Sequence, residues 1–209
     1  MSITSYLKAT ALLLSLSVVG CYSTEKNTDQ TNNTEEAQAG SNDEWPYATT
    51  PVDHQPWDKL VKKHVNEQGM VDYKGMKQDE AQLDEYLAML SNNPVNREKW
   101  TKDQQMAYWI NAYNAYTVKL ILNHYPVNSI KDIKSKAETP WDIQFFEIGG
   151  KKYDLNEIEH DILRKEFEAD PRYHFALVCA ALSCPRLRTE AYVPEKLNEQ
   201  LDDQGRTFI

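Results

Sequence analysis

From Phe175 to Cys184 the chain carries no charge, and this apolar run is framed by His174 at its head and Pro185 at its end. So apolar a stretch has to be buried, and its length suits a strand better than a helix of about two turns. It also holds two of the chain's three cysteines. It is therefore expected to form one buried central strand, carrying reactive side chains, around which the other elements pack.

The most regular helical signal starts at Thr101. Thr101 and Gln104 have the spacing of a capping box, in which the threonine hydroxyl and the glutamine amide each serve a free backbone N–H. Met106, Trp109, Ile110, Tyr113, Tyr116, Leu120 and Ile121 follow at steps of three and four, forming one wide apolar stripe that ends before Pro126. Asn111 and Asn114 lie one turn apart on the same helix. An asparagine costs a helix interior roughly half a kcal/mol, so two of them call for a reason. Either they hydrogen-bond a neighbouring loop in the core, or they hold a ligand or orient a catalytic histidine.

Upstream, Trp57, Leu60, Val61 and Val65 keep helical spacing, and so do Leu83, Tyr86, Leu87 and Leu90 before Asn92–Asn93–Pro94 breaks the pattern. Between them, Gln68 to Tyr73 reads as a short strand or extended arm after a glycine turn. Downstream, Ile143 to Leu155 reads as a hairpin turning at Gly149–Gly150. Asp154 and Glu157 make a second capping-box pattern, opening a helix with Leu155, Ile158, Ile162 and Leu163 inward and His160 and Arg164 at its edge. Asp170–Pro171 stops it, and a last helix from Pro194 turns Leu197, Leu201 and Phe208 to one side. These elements predict an α+β fold: a mainly helical single domain over residues 45–209 with a small β-hairpin.

The opening segment has another purpose. Lys8 is its only charge, and the apolar run from Ala9 to Gly20 is too short to span a hydrocarbon core of about 30 Å. Residues 1–20 read as a signal peptide. Leu16–Ser17–Val18–Val19–Gly20–Cys21 resembles the bacterial lipobox, which makes Cys21 the expected lipidation site and ties the protein to a membrane surface. Tyr22 is not aspartate, so delivery to the outer membrane, facing the periplasm, is expected. From Ser23 to Glu44 the chain lacks aromatic side chains and almost all apolar ones, so residues 21–44 read as the lipidated cysteine and a disordered tether.

A formal net charge of −9 argues against a nucleic-acid partner, whose phosphates are bound through clustered Lys and Arg. Twelve tyrosines and five tryptophans instead provide large amphipathic rings that fill cores or line clefts.

From about Trp57 to Ile209 the chain resembles the bacterial and plant family known as domain of unknown function 547. The resemblance is carried by Gly69–Met70–Val71–Asp72–Tyr73, by Tyr108 to Ala115, by Leu155 to Arg164, by Asp170–Pro171–Arg172, and by His174–Phe175–Ala176 with Ser183–Cys184–Pro185. It implies a mixed α+β domain and brings no activity with it. Members of the family usually continue past the point that matches Ile209, so the chain is expected to be short or incomplete there.

The residue types permit several chemistries. Cys184 as nucleophile, His174 or His160 as base and Asn111 or Asn114 as orienter would make a Cys–His–Asn hydrolase or transferase acting on peptide or cell-wall amide bonds. Cys179 and Cys184 could instead form a disulfide, provided the chain reverses around Ala180–Ala181–Leu182, because an extended five-residue step would separate their Cα atoms by roughly 16 Å. Zinc held by His160, His174, Cys179 and Cys184 lacks the familiar short Cys-x-x-Cys spacing, and neither a metal nor a cofactor is expected. The remaining reading is a non-catalytic envelope module that presents an aromatic cleft to a protein or peptide partner.

Overall fold

Among the described residues, four α-helices precede the sheet: α1 (Gln55–His64), α2 (Tyr73–Gln78), α3 (Glu80–Asn92) and α4 (Lys102–Asn123). The hairpin of β1 (Phe146–Ile148) and β2 (Lys151–Tyr153) follows. Next comes α5, whose first part, Glu157–Leu163, has π-helical spacing and whose second is Arg164–Glu166. Two 3₁₀ turns, Pro171–Phe175 and Pro194–Lys196, and a final helix α6 (Leu197–Phe208) complete the order of the described elements. A computed structural model describes residues 48–133, 135–180 and 184–208, all within one compact unit spanning Asp43–Ile209. The expected signal peptide, the lipidation site Cys21 and the tether lie outside the described residues. Among the described residues no helix is long and apolar enough to cross a membrane.

The fold is α+β and mainly helical, and α4 is its centre. Its 22 residues make a rod about 33 Å long. The capping box at its start is complete: the Thr101 hydroxyl accepts from the Gln104 N–H at 3.2 Å, and the Gln104 side chain accepts from the Thr101 N–H at 2.8 Å. The sequence suggests one apolar stripe, but the helix is buried on every side, with only Lys119 reaching outward between Gln105 and Leu122. Its polar residues allow this because they find partners inside. Gln105 donates to the Trp100 carbonyl, Thr117 to the Tyr113 carbonyl, and both asparagines are hydrogen-bonded. Among the described residues, the Gln105 Oε1 and the Trp109 Nε1 are the buried side-chain polar atoms of this helix left without a partner.

Around α4, α3 packs on both α1 and α4, β1 packs on α3, α5 lies on α4, and α6 covers the Pro171–Phe175 turn. The hairpin forms as its sequence suggests, with Phe146 opposite Tyr153 and Ile148 opposite Lys151. Gly149 and Gly150 have φ of 59° and 74°, the paired left-handed conformation that a two-residue turn matching strand twist requires. The arm after α1 makes one antiparallel bridge, Val65 with Val71, and gives way to α2 at Tyr73. Gly69, with φ of 76°, lies so close to the loop at Arg186 that an added Cβ would come within 2.4 Å of the Arg186 Cβ.

Three expectations need correction. No strand forms between His174 and Pro185 among the described residues. His174 lies exposed in the 3₁₀ turn, Ala176 and Leu177 are buried in irregular chain, and Val178, Cys179 and Ala180 are half-buried. An Asn114 side chain, not a neighbouring strand, serves the backbone groups of this segment. The second capping box is half made: Asp154 accepts from the Glu157 N–H at 2.8 Å, but the Glu157 carboxylate pairs with Lys151 and does not reach back. Phe208 does not turn inward; it is 48% exposed and rests on the Phe175 ring, 5.5 Å between centroids.

Candidate functional site

The two asparagines of α4 are the polar heart of the molecule. Asn111, with no exposed surface, donates through Nδ2 to the Tyr192 carbonyl at 2.8 Å and accepts through Oδ1 from the Tyr192 N–H at 3.0 Å. Asn114 donates to the Ala176 carbonyl at 3.0 Å and accepts from the Val178 N–H at 3.0 Å. Each amide thus acts as a substitute peptide group, completing in the core the hydrogen bonds that irregular chain would otherwise leave unmet. Two glutamines of α6 extend the scheme. Gln200 bonds the Ala191 carbonyl and the Val193 N–H, and Gln204 donates to the carbonyls of Phe175 and Arg186. Neither glutamine stands out in the sequence. The signal for them was two polar residues one turn apart beside Leu197 and Leu201 on an otherwise apolar face.

Cys179 and Cys184 are joined by a disulfide, with Cα atoms 6.0 Å apart. The reversal such a bridge needs begins at Ala180, whose φ is 56°. A sulfur in a disulfide is not a thiolate, so in this state Cys184 is not a nucleophile. His174 lies against the Tyr173 ring at 4.2 Å and His160 is exposed on α5. Among the described residues neither histidine hydrogen-bonds to Asn111, Asn114 or Cys184. The amides orient peptide groups and not an imidazole. No group of three or more His, Cys, Asp or Glu side chains among the described residues is arranged to hold a metal ion.

A second place has a different character. Where α4, the hairpin and α5 meet the loop before α4, a cleft of about 410 Å³ opens to solvent. Trp109 of α4 and Tyr153 of β2 form its floor, their ring centroids 5.9 Å apart and the planes inclined by 51°. Val95, Ile148 and Ile162 supply apolar wall. Two ion pairs stand at its edge: Arg97 with Glu166, including an Nε to Oε2 bond of 3.1 Å, and Lys151 with Glu157. Lys151 also lies over the Tyr153 ring, 4.5 Å from its centroid. The Glu157 carboxylate at its side raises the Lys151 pKa above the ordinary lysine value. Trp109 is 3% exposed, and its indole Nε1 has no hydrogen-bond partner.

Residues 97–209, more than half of the chain, match the model of the family described as Protein of unknown function, DUF547. The chain belongs to this family. The matched span holds α4 with its two asparagines, the hairpin, α5, both cysteines and α6. Pro94 and Val95 of the cleft and the Gly69–Tyr73 segment precede it. No curated protein and no solved structure matches the chain.

Proposed function

We propose that this DUF547 protein is a lipid-tethered ligand-binding module of the cell envelope, and that it works without thiol chemistry. The observation that carries the binding half is the cleft. A concavity of this size, with an aromatic floor, apolar walls and a few placed polar groups, has the composition of small-molecule sites. The pinned loop and its disulfide give the cleft no nucleophile; they support a rigid frame. The tether rests on the apolar run ending in Gly20–Cys21 and the polar stretch that follows it, with the outer membrane, facing the periplasm, as the proposed address. The charge of −9 keeps nucleic acid from the list of partners.

Detergent partitioning tests the tether. The full chain made in a bacterial host should enter the detergent phase of a Triton X-114 separation, and the Cys21→Ser variant should stay in the aqueous phase. Equal partitioning of the two would remove the lipid from the account. For the binding half, the requirement is that some small molecule perturbs Trp109.

A further inference from the structure

We infer that the bridge between Cys179 and Cys184 is a redox-sensitive clasp, opened and closed by exchange with external thiols while the fold around it stays in place. The inference goes beyond the binding reading of the cleft and does not depend on it.

A structural disulfide stabilises a fold by holding together parts of the chain that would otherwise separate, and its effect grows with the length of the loop it closes. Here the two cysteines are only 5 residues apart in sequence, so the loop is short. Its feet are also tied by other means. The Gln204 amide, on a side chain 1% exposed, donates through Nε2 to the Phe175 carbonyl at 3.0 Å and to the Arg186 carbonyl at 2.9 Å. Those two carbonyls lie on either side of the bridge in the chain. Asn114 holds Ala176 and Val178 on the first side, and the Arg186 guanidinium reaches the Glu67 carbonyl at 3.1 Å on the second. Leu177 and Leu187, one on each side, are buried. The bridge therefore joins two segments that the core already keeps together. Opening it leaves all these bonds in place and the two sulfurs near each other.

Closing it carries a conformational cost. Ala180, inside the loop, has φ of 56°, a left-handed conformation that glycine takes freely and a residue with a Cβ does not. An open loop is free to release that strain. Access is provided as well, because Cys179 and Cys184 are both half-buried and neither is sealed in the core. Disulfides that are strained or exposed are the labile ones, whereas structural bridges of secreted proteins resist the glutathione couple.

The exchange takes two steps. The thiolate of one external thiol attacks a bridge sulfur, forming a mixed disulfide and expelling the other cysteine as a thiolate. A second external thiol then displaces the bound cysteine and leaves joined to the first as their own disulfide. Two electrons and two protons have passed to Cys179 and Cys184.

The full chain, held in detergent at pH 7, can be equilibrated with mixtures of reduced and oxidised glutathione and quenched with N-ethylmaleimide. Peptide masses then give the open fraction at Cys179 and Cys184. The bridge should open in excess reduced glutathione without denaturant and close again as the oxidised form is raised. The Cys179→Ser, Cys184→Ser double variant, which cannot close, should melt within about 5 °C of the bridged protein. Ala180→Gly, at a half-buried position, removes the strain and should favour the closed form about fivefold. A bridge that yields to glutathione only after the protein is unfolded would be a structural staple, and the clasp would be wrong. A double variant that melts far below the bridged protein, or an Ala180→Gly balance equal to that of the parent chain or shifted toward the open form, would overturn it equally.

Discussion

Replacing Asn111 by alanine is expected to lower the melting temperature of the folded unit by roughly 10 °C. The substitution leaves the Tyr192 N–H and carbonyl without partners in a part of the core that water does not reach. Each buried group so stranded costs about 1–3 kcal/mol, and together they cost about 4 kcal/mol. For a unit of this size 1 kcal/mol corresponds to roughly 2–4 °C. Asn114→Ala should cost less, because Val178 is only half-buried and water can serve its N–H after a small shift. Differential scanning calorimetry distinguishes this role from a catalytic one. An asparagine that oriented an imidazole would leave the melting temperature nearly unchanged on replacement and alter reactivity alone.

Acidification provides the second large effect. His54 is 6% exposed, hydrogen-bonded through Nδ1 to the Tyr86 hydroxyl at 2.7 Å, and edge-on to the rings of Tyr86 and Tyr108. Burial pushes its pKa from the ordinary 6.5 down to about 4, with nearby Asp53 pulling weakly the other way. Between those values the unfolded chain binds a proton that the folded one refuses. Stability is therefore full above pH 6.5 and falls as the pH drops toward 4, by about 3 kcal/mol in all. His54→Gln should flatten this slope in urea titrations at successive pH values. Asp79 and Glu80, held below the ordinary carboxylate range chiefly by Lys63 and Lys119 respectively, withdraw their contribution at lower pH still, below most of the histidine window. An unchanged slope in the variant would mean that His54 is protonated in the fold.

Much of the fold was legible because it depends on neighbours in sequence. Thr101 with Gln104 marks the start of α4, and Gly149–Gly150 marks the turn between β1 and β2, through interactions that reach no more than a few residues. The role of the His174 segment was not legible. Its apolar run has the composition of a buried strand, but the groups that complete its backbone hydrogen bonds sit on an amide more than sixty residues away in the chain. Periodicity also treats Asn111, Asn114 and Thr117 as the polar side of α4, although each is buried and bonded. The cleft was hidden for a related reason. Trp109 and Tyr153 belong to different elements, and the Lys151–Glu157 pair forms because the hairpin runs directly into α5. For the catalytic reading, the sequence offered residue types but had no means of locating them. It put an imidazole, an amide and a thiol within one chain; the fold gives the amides to peptide groups, leaves His160 and His174 in solvent, and joins the thiol to Cys179.

The state of Cys184 separates a binding module from a cysteine enzyme. Treating the folded protein, purified without reductant, with iodoacetamide at pH 7 and then digesting it for mass spectrometry reads that state directly. The expected result is an unmodified Cys184 recovered in a peptide linked to Cys179. Rapid carboxamidomethylation of Cys184, faster than that of a free thiol under the same conditions, would contradict it and restore the case for a cysteine enzyme.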